Sequence, residues 1–254
     1  MALWGLASYA LVLWWGGTAL VWLLVRHRER PWASLWLLPL AGGLSLGVID
    51  AAGAVPSVAA SMLSFLGAIV LWGVLEAAHL YGWLTGPEKA PCPQRVTHLE
   101  RFRRGINVGL HHDLGILVVV ALLWTLLHDT PNPTAAWAFT VLWLMRWSAK
   151  LNLFLGVANF DAGLMPERMR YMASYMLQRT VNPLYPFSIA AGVLGTIYGA
   201  LLLRSGLLSE AQYAGVALTT SLLVLGLFEH VLMMLPLRDS HLWRWVLAQT
   251  RESH

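Results

Sequence analysis

Charge is what this sequence has least of. Asp, Glu, Lys and Arg make up 12% of its 254 residues, roughly half the share of about 25% in soluble domains. With 57% hydrophobic residues and a mean hydropathy of +0.60, no soluble domain of this length could hide its apolar surface. That excludes a soluble enzyme and leaves one integral membrane domain, residues 1–254. Cysteine is nearly absent too. Cys92 stands alone, so no intrachain disulfide can form. There is no Gly-rich phosphate loop, no Walker motif and no Ser-centred nucleophile elbow. No His-x-x-x-His or His-x-x-His-His occurs, which excludes a His-box desaturase or hydroxylase. The last apolar run has no lysine, so it cannot form a retinal Schiff base. No repeat or low-complexity tract is present.

What is there is a series of apolar runs. About 20 such residues cross a bilayer as a helix, because lipid cannot hydrogen-bond an open backbone. Seven runs qualify, at approximately 2–25, 32–50, 57–84, 106–128, 135–157, 184–203 and 211–237. The expectation is an all-α bundle of seven transmembrane helices. The first run has no basic leader and exceeds the apolar core of a signal peptide, so it reads as a retained anchor. Pro39 predicts a kink in the second, and the length of the third predicts tilt.

Basic residues mark the cytoplasmic side. Fourteen of the seventeen Lys and Arg lie in four regions: the loop "RHRERP", the loop 85–105, the segment 158–183 and the C-terminal tail. With seven spans, all four share one side. The other side has Arg204 alone. The N-terminus is therefore expected outside and the C-terminus in the cytoplasm. Net charge is +4, but its confinement to these loops points to a lipid bilayer and not to a nucleic acid. Two inner segments have interfacial character. At approximately 165–179, Met165, Met169, Met172 and Met176 form one helical stripe, and Glu167, Arg170, Ser174 and Gln178 the opposite face. In "RDSHLWRWVLAQTRESH", Trp243 and Trp245 read as membrane-interface anchors.

Charge reappears inside the runs at one depth. Ala51 to Leu75 is uncharged, and then Glu76 and His79 follow within the same apolar run. The fourth run opens with His111, His112 and Asp113. The fifth carries Arg146, Lys150 and Asn152, with Asn159 just beyond it. The seventh carries Glu229 and His230. By the expected topology Arg146 lies near the middle of its span and the others in the cytoplasmic half, and buried charge seeks the bundle interior. Three readings are open. One is an ion-pair network of Arg146 and Lys150 with Glu76, Asp113 and Glu229. The second is a metal site. Glu-x-x-His places two ligands on one helix face, as in carboxylate-bridged di-iron bundles, and such donors suit iron, manganese or zinc. Its ligands would come from Glu76, His79, His112, Asp113, Glu229 and His230, supported by His111, Lys150, Asn152 and Asn159. The third is pigment handling, with a histidine as axial ligand to a tetrapyrrole.

The run "RWSAKLNLFLGVANFDAGLMPERMRYMASYMLQRTVNPLYPFS", with "EAAHLYGWLTGP" before it and "FEHVLMMLPL" after, resembles the photosynthetic complex assembly protein 2 family, also called PuhE, of purple phototrophic bacteria. The similarity covers most of the chain. It implies a multi-pass protein of the bacterial inner membrane, cytoplasmic or intracytoplasmic. The implied role is bacteriochlorophyll supply and assembly of the reaction-centre/light-harvesting complex. Reaction-centre subunits, light-harvesting subunits or pigment-synthesis proteins are the implied partners, and bacteriochlorophyll or a precursor the implied ligand. The resemblance carries no reaction with it. An intramembrane His/carboxylate metalloenzyme acting on a lipid or tetrapyrrole intermediate, with a di-iron site as one form it could take, is the alternative. The basic-loop asymmetry yields a first test. A reporter fused to the C-terminus should be active only in the cytoplasm, and periplasmic activity would contradict the orientation.

Overall fold

The computed structural model describes residues 3–26, 31–160, 162 and 165–235. Among them no β-strand forms, and the elements are helices: α1 (Leu3–Arg26), α2 (Pro31–Gly53), α3 (Val58–Leu80), α4 (His98–Val108), α5 (Leu110–Leu126), α6 (Thr134–Leu155), α7 (Tyr185–Arg204) and α8 (Glu210–Met234), with a 3-10 helix at Glu167–Tyr175. The starts follow local chemistry. Ser57 accepts from the Ala60 backbone at the head of α3. Thr97 does the same for Glu100 in α4, and Ser209 with Gln212 closes a capping box on α8. α2 runs unbroken through Pro39.

Five helices, α1, α2, α3, α7 and α8, are long and apolar enough to cross a membrane. The expected fourth span, 106–128, begins in the last residues of α4 and runs through α5. α4 and α5 meet at Gly109 with a bend of 58°, and together they make a sixth candidate. α4 holds Arg101, Arg103 and Arg104, so the residues just before 106 are a basic amphipathic helix and not the expected loop. α6 has the length of a span but a lower hydropathy, because Arg146, Lys150 and Asn152 fall within it. It tolerates them because it is an inner helix, packed against α3, α5 and α8. α1 and α3 also pack on α8, while α2 leans on α3 and α7 on α8. The main core lies between the inner helices and includes Phe65, Ile116, Leu123, Phe139 and Leu218. Trp72 meets Phe139 edge-on at 5.3 Å.

One end of the bundle is closed by a folded floor. The turn after α3 doubles back: the backbone N–H groups of His111 and His112 donate to the Thr85 carbonyl at 2.9 and 3.3 Å. Thus Thr85, just past the third expected span, caps the start of α5, and the helix of that span ends at Leu80 instead of 84. The 3-10 helix lies beneath α4. Its period of three, in place of the expected α-helical stripe, puts Met169, Met172 and Tyr175 together against Val108 and Phe154. The Met face therefore packs onto the bundle. Asn182 clamps α6 to α7: its amide donates to Gly156 O at 2.7 Å while its oxygen accepts from Leu184 and Tyr185. Gly156, at φ +116°, ends α6 where a Cβ would strike the Arg179 side chain. The tail with Trp243 and Trp245 lies outside the described residues.

The close approach at Gly86 is the most exacting point of this floor. A Cβ there would sit 1.7 Å from the Asn107 carbonyl oxygen. Because backbone cannot yield like a side chain, Gly86→Ala should destabilise the protein by about 1–3 kcal/mol or more. A thermal midpoint in detergent unchanged by the substitution would contradict the docking of this turn on α4 and α5.

Candidate functional site

The site lies where the α3 C-terminus, the α5 N-terminus and the middle of α6 meet. Arg146 on α6 donates to Glu76 on α3 at 2.7 Å. One turn further along α6, Lys150 is bonded to Asp113 on α5, and the Lys150 and Asp113 side chains are 14% and 4% exposed. Four charges thus form two closed pairs, as charges inside an apolar bundle must. Arg146 Nε remains buried without a hydrogen bond among the described residues.

Two imidazoles stand between the pairs. His79 and His112 stack with ring centroids 4.3 Å apart and planes 25° from parallel. The His79 Nδ1 lies 2.7 Å from the Leu84 carbonyl. A carbonyl only accepts, so Nδ1 holds the proton and Nε2 the lone pair. His112 is fully buried. Neither of its nitrogens has a hydrogen bond among the described residues. Its Nε2 is 3.6 Å from Glu76 Oε1.

The other expected site residues divide from this group. His230 is buried on α8 but is already engaged: Nδ1 donates to Gly226 O at 2.8 Å, and Nε2 accepts from the Ser148 hydroxyl at 2.8 Å. Its neighbour Glu229 is exposed and lines a cavity of about 330 Å³ that Glu76 and Arg146 also line. His111 is exposed. Asn152 joins α6 to α7 through Ser188 at 2.9 Å. Asn159 donates to Leu232 O at 3.2 Å and so ties the segment after α6 to α8. Among the described residues, no group of three His, Cys, Asp or Glu side chains is placed to hold one metal ion. Arg146 and Lys150 occupy the carboxylates instead.

Sequence reasoning did not single out Ser148, Leu84 or Asn182. Asn182 had a visible signal, since Asn-Pro starts turns. Ser148 sits two residues after Arg146 and becomes legible only once α8 is placed. A second cavity, of about 420 Å³, is lined by both ion pairs, by His79 and by methionines of the 3-10 region. Apolar walls with a few fixed polar groups are the usual form of a small-molecule site.

Comparison with known proteins adds kinship. All of the chain, residues 1–254, matches the family described as "Protein of unknown function (DUF3623)". The chain belongs to this family. It is 32% identical over 258 residues to the "Uncharacterized 30.4 kDa protein in puhA 5'region" of Rhodobacter capsulatus, covering 98% of this chain and 92% of that protein. No solved structure matches. Within this DUF3623 chain, the ion pairs offer a sharp energetic test. Removing one partner of a buried pair costs about 3–5 kcal/mol, whereas replacing both by apolar residues is often neutral. Asp113→Asn should therefore destabilise strongly, and Asp113→Leu combined with Lys150→Met should recover most of the loss in detergent unfolding. A double variant as unstable as the sum of its singles would contradict the pairing.

Proposed function

We propose that this chain is a bacterial inner-membrane factor serving bacteriochlorophyll supply and assembly of the reaction-centre/light-harvesting complex, and that it belongs with the PuhE proteins. The observation that carries this reading is near-full-length kinship with a protein named for its place in the puhA 5' region. That label shares its stem with the PuhE group, which the central run of this sequence resembles. The geometry supports a holding role: the charges are closed into pairs beside an amphiphilic cavity. Partners are then reaction-centre or light-harvesting subunits, or the proteins that make pigment.

The same reading includes seven spans, with α5 and α6 completing the five apolar helices. α4 and the 3-10 helix lie at the inner surface, the N-terminus faces the periplasm and the C-terminus the cytoplasm. Two features support it. α5 has 17 residues, at the lower limit for a span, and α6 is sheltered from lipid by its neighbours.

A second reading, an intramembrane metalloenzyme acting on a lipid or tetrapyrrole intermediate, is favoured by His112, whose buried ring nitrogens have no hydrogen bond among the described residues and lie beside Glu76. Iron, manganese or zinc would have to displace Arg146 from Glu76. Elemental analysis of the protein in mild detergent separates the two readings.

The assembly role is tested by deleting the gene in a purple phototroph that encodes it. Loss of both assembled complex and bacteriochlorophyll per membrane protein is expected, with restoration from a plasmid copy. Unchanged complex and pigment levels would overturn the role.

A further inference from the structure

The cavity beside the ion pairs concentrates an uncommon side chain. Of the nine methionines in the sequence, Met165, Met169, Met172, Met176 and Met233 all line it. The main core is built instead from Phe, Leu, Ile, Val and Ala, without a buried methionine. Unbranched thioethers re-pack around irregular ligands and make favourable contacts with aromatic rings. The volume of about 420 Å³ falls within the range of about 300–1,000 Å³ for small-molecule sites.

The polar lining narrows the ligand. Asp113 is closed by Lys150 and Glu76 by Arg146, so this wall is charge-balanced. An entering carboxylate or ammonium would have to break an existing pair and strand its partner. That argues against a fatty acid or an organic cation. His79 differs. Its Nδ1–H is spent on Leu84 O, and Nε2 has no hydrogen bond among the described residues. One unused electron pair in a balanced, methionine-walled cavity suits an electron-pair acceptor at the centre of a flat apolar ring.

We propose that this cavity binds a planar metal-centred macrocycle of the tetrapyrrole class, with His79 Nε2 as axial ligand and the methionine wall against the ring. The inference rests on the pigment-supply reading and gives it a location. Binding is a single donation: the Nε2 lone pair enters a vacant axial position, and no bond breaks. The stacked His112 ring keeps the His79 imidazole in orientation, and the Leu84 carbonyl keeps its tautomer. These are positioning groups.

The experiment uses the full chain in mild detergent, titrated with the dimethyl ester of zinc protoporphyrin and, separately, of metal-free protoporphyrin, rings without a free carboxylate, following the Soret band. The zinc ring should bind about tenfold more tightly or better, a difference of about 1.4 kcal/mol, with the red shift of an axial nitrogen ligand. His79→Gln should abolish both the preference and the shift. Joint Met169→Leu and Met172→Leu should weaken both rings alike and leave the shift. Far-UV circular dichroism and gel filtration check folding. Should His79→Gln not fold, the wild-type comparison decides alone. Parallel titrations with the magnesium and iron(III) complexes of the same dimethyl ester tell a chlorophyll-type from a haem-type ring, and a preference for either metal over the free base supports axial ligation. Equal binding of metal-loaded and metal-free rings by the wild type, or a red shift that survives His79→Gln, overturns the site. Either result would leave the assembly role standing if the deletion phenotype is present. An intact site without a deletion phenotype would remove the assembly role alone.

Discussion

Hydrocarbon does not solvate a lone charge, and the centre of this bundle is arranged around that constraint. Two cations on α6 sit one helical turn apart, and each finds its carboxylate on a different neighbour. Arg146 reaches α3 and Lys150 reaches α5. α6 is therefore held in rotation and in depth by two bonds on two sides. Removing either acid would leave a cation that neither lipid nor water can take up. The helix carrying this charge is accordingly an inner one, and its shortfall in hydropathy follows from its place.

The floor of the bundle depends on the same arrangement. α5 can present Asp113 to Lys150 only if it starts at the right level, and Gly109 sets that level by ending α4 and turning the chain through 58°. The returning turn at 81–86 gives carbonyls to His79, His111 and His112. A short stretch of backbone thus fixes an imidazole tautomer and caps a helix together. Beneath it, the 3-10 helix turns its methionines toward the same cavity that the ion pairs line. The result is a chamber with a soft wall and a charge-balanced wall.

Much of this was legible in the sequence. Helical character, the polar layer and three of the helices that meet in it follow from apolar runs and from where charge interrupts them. The choice of partners was not. Whether Glu76 meets Arg146 or a metal depends on helix rotation, which a run of apolar residues does not encode. Glu229 and His230 illustrate this, since adjacent helical residues point about 100° apart. His230 turns inward to Ser148, while Glu229 stays exposed. The bend at Gly109 was hidden because α4 is too polar to read as a span and too short to stand out from a basic loop. The methionine stripe was visible, but its period of three was not, since spacings of three and four residues fit one face of an α-helix as well.

The central claim is that the cations inside the bundle are closed by carboxylates on neighbouring helices. Solid-state NMR of the isotope-labelled chain in lipid bilayers tests it most directly, through nitrogen–carbon transfer from the Lys150 Nζ to carboxyl carbons. A cross-peak to the Asp113 side-chain carboxyl is the expected result. A Lys150 nitrogen that correlates with water or lipid headgroups, and with no carboxyl carbon, would contradict the account.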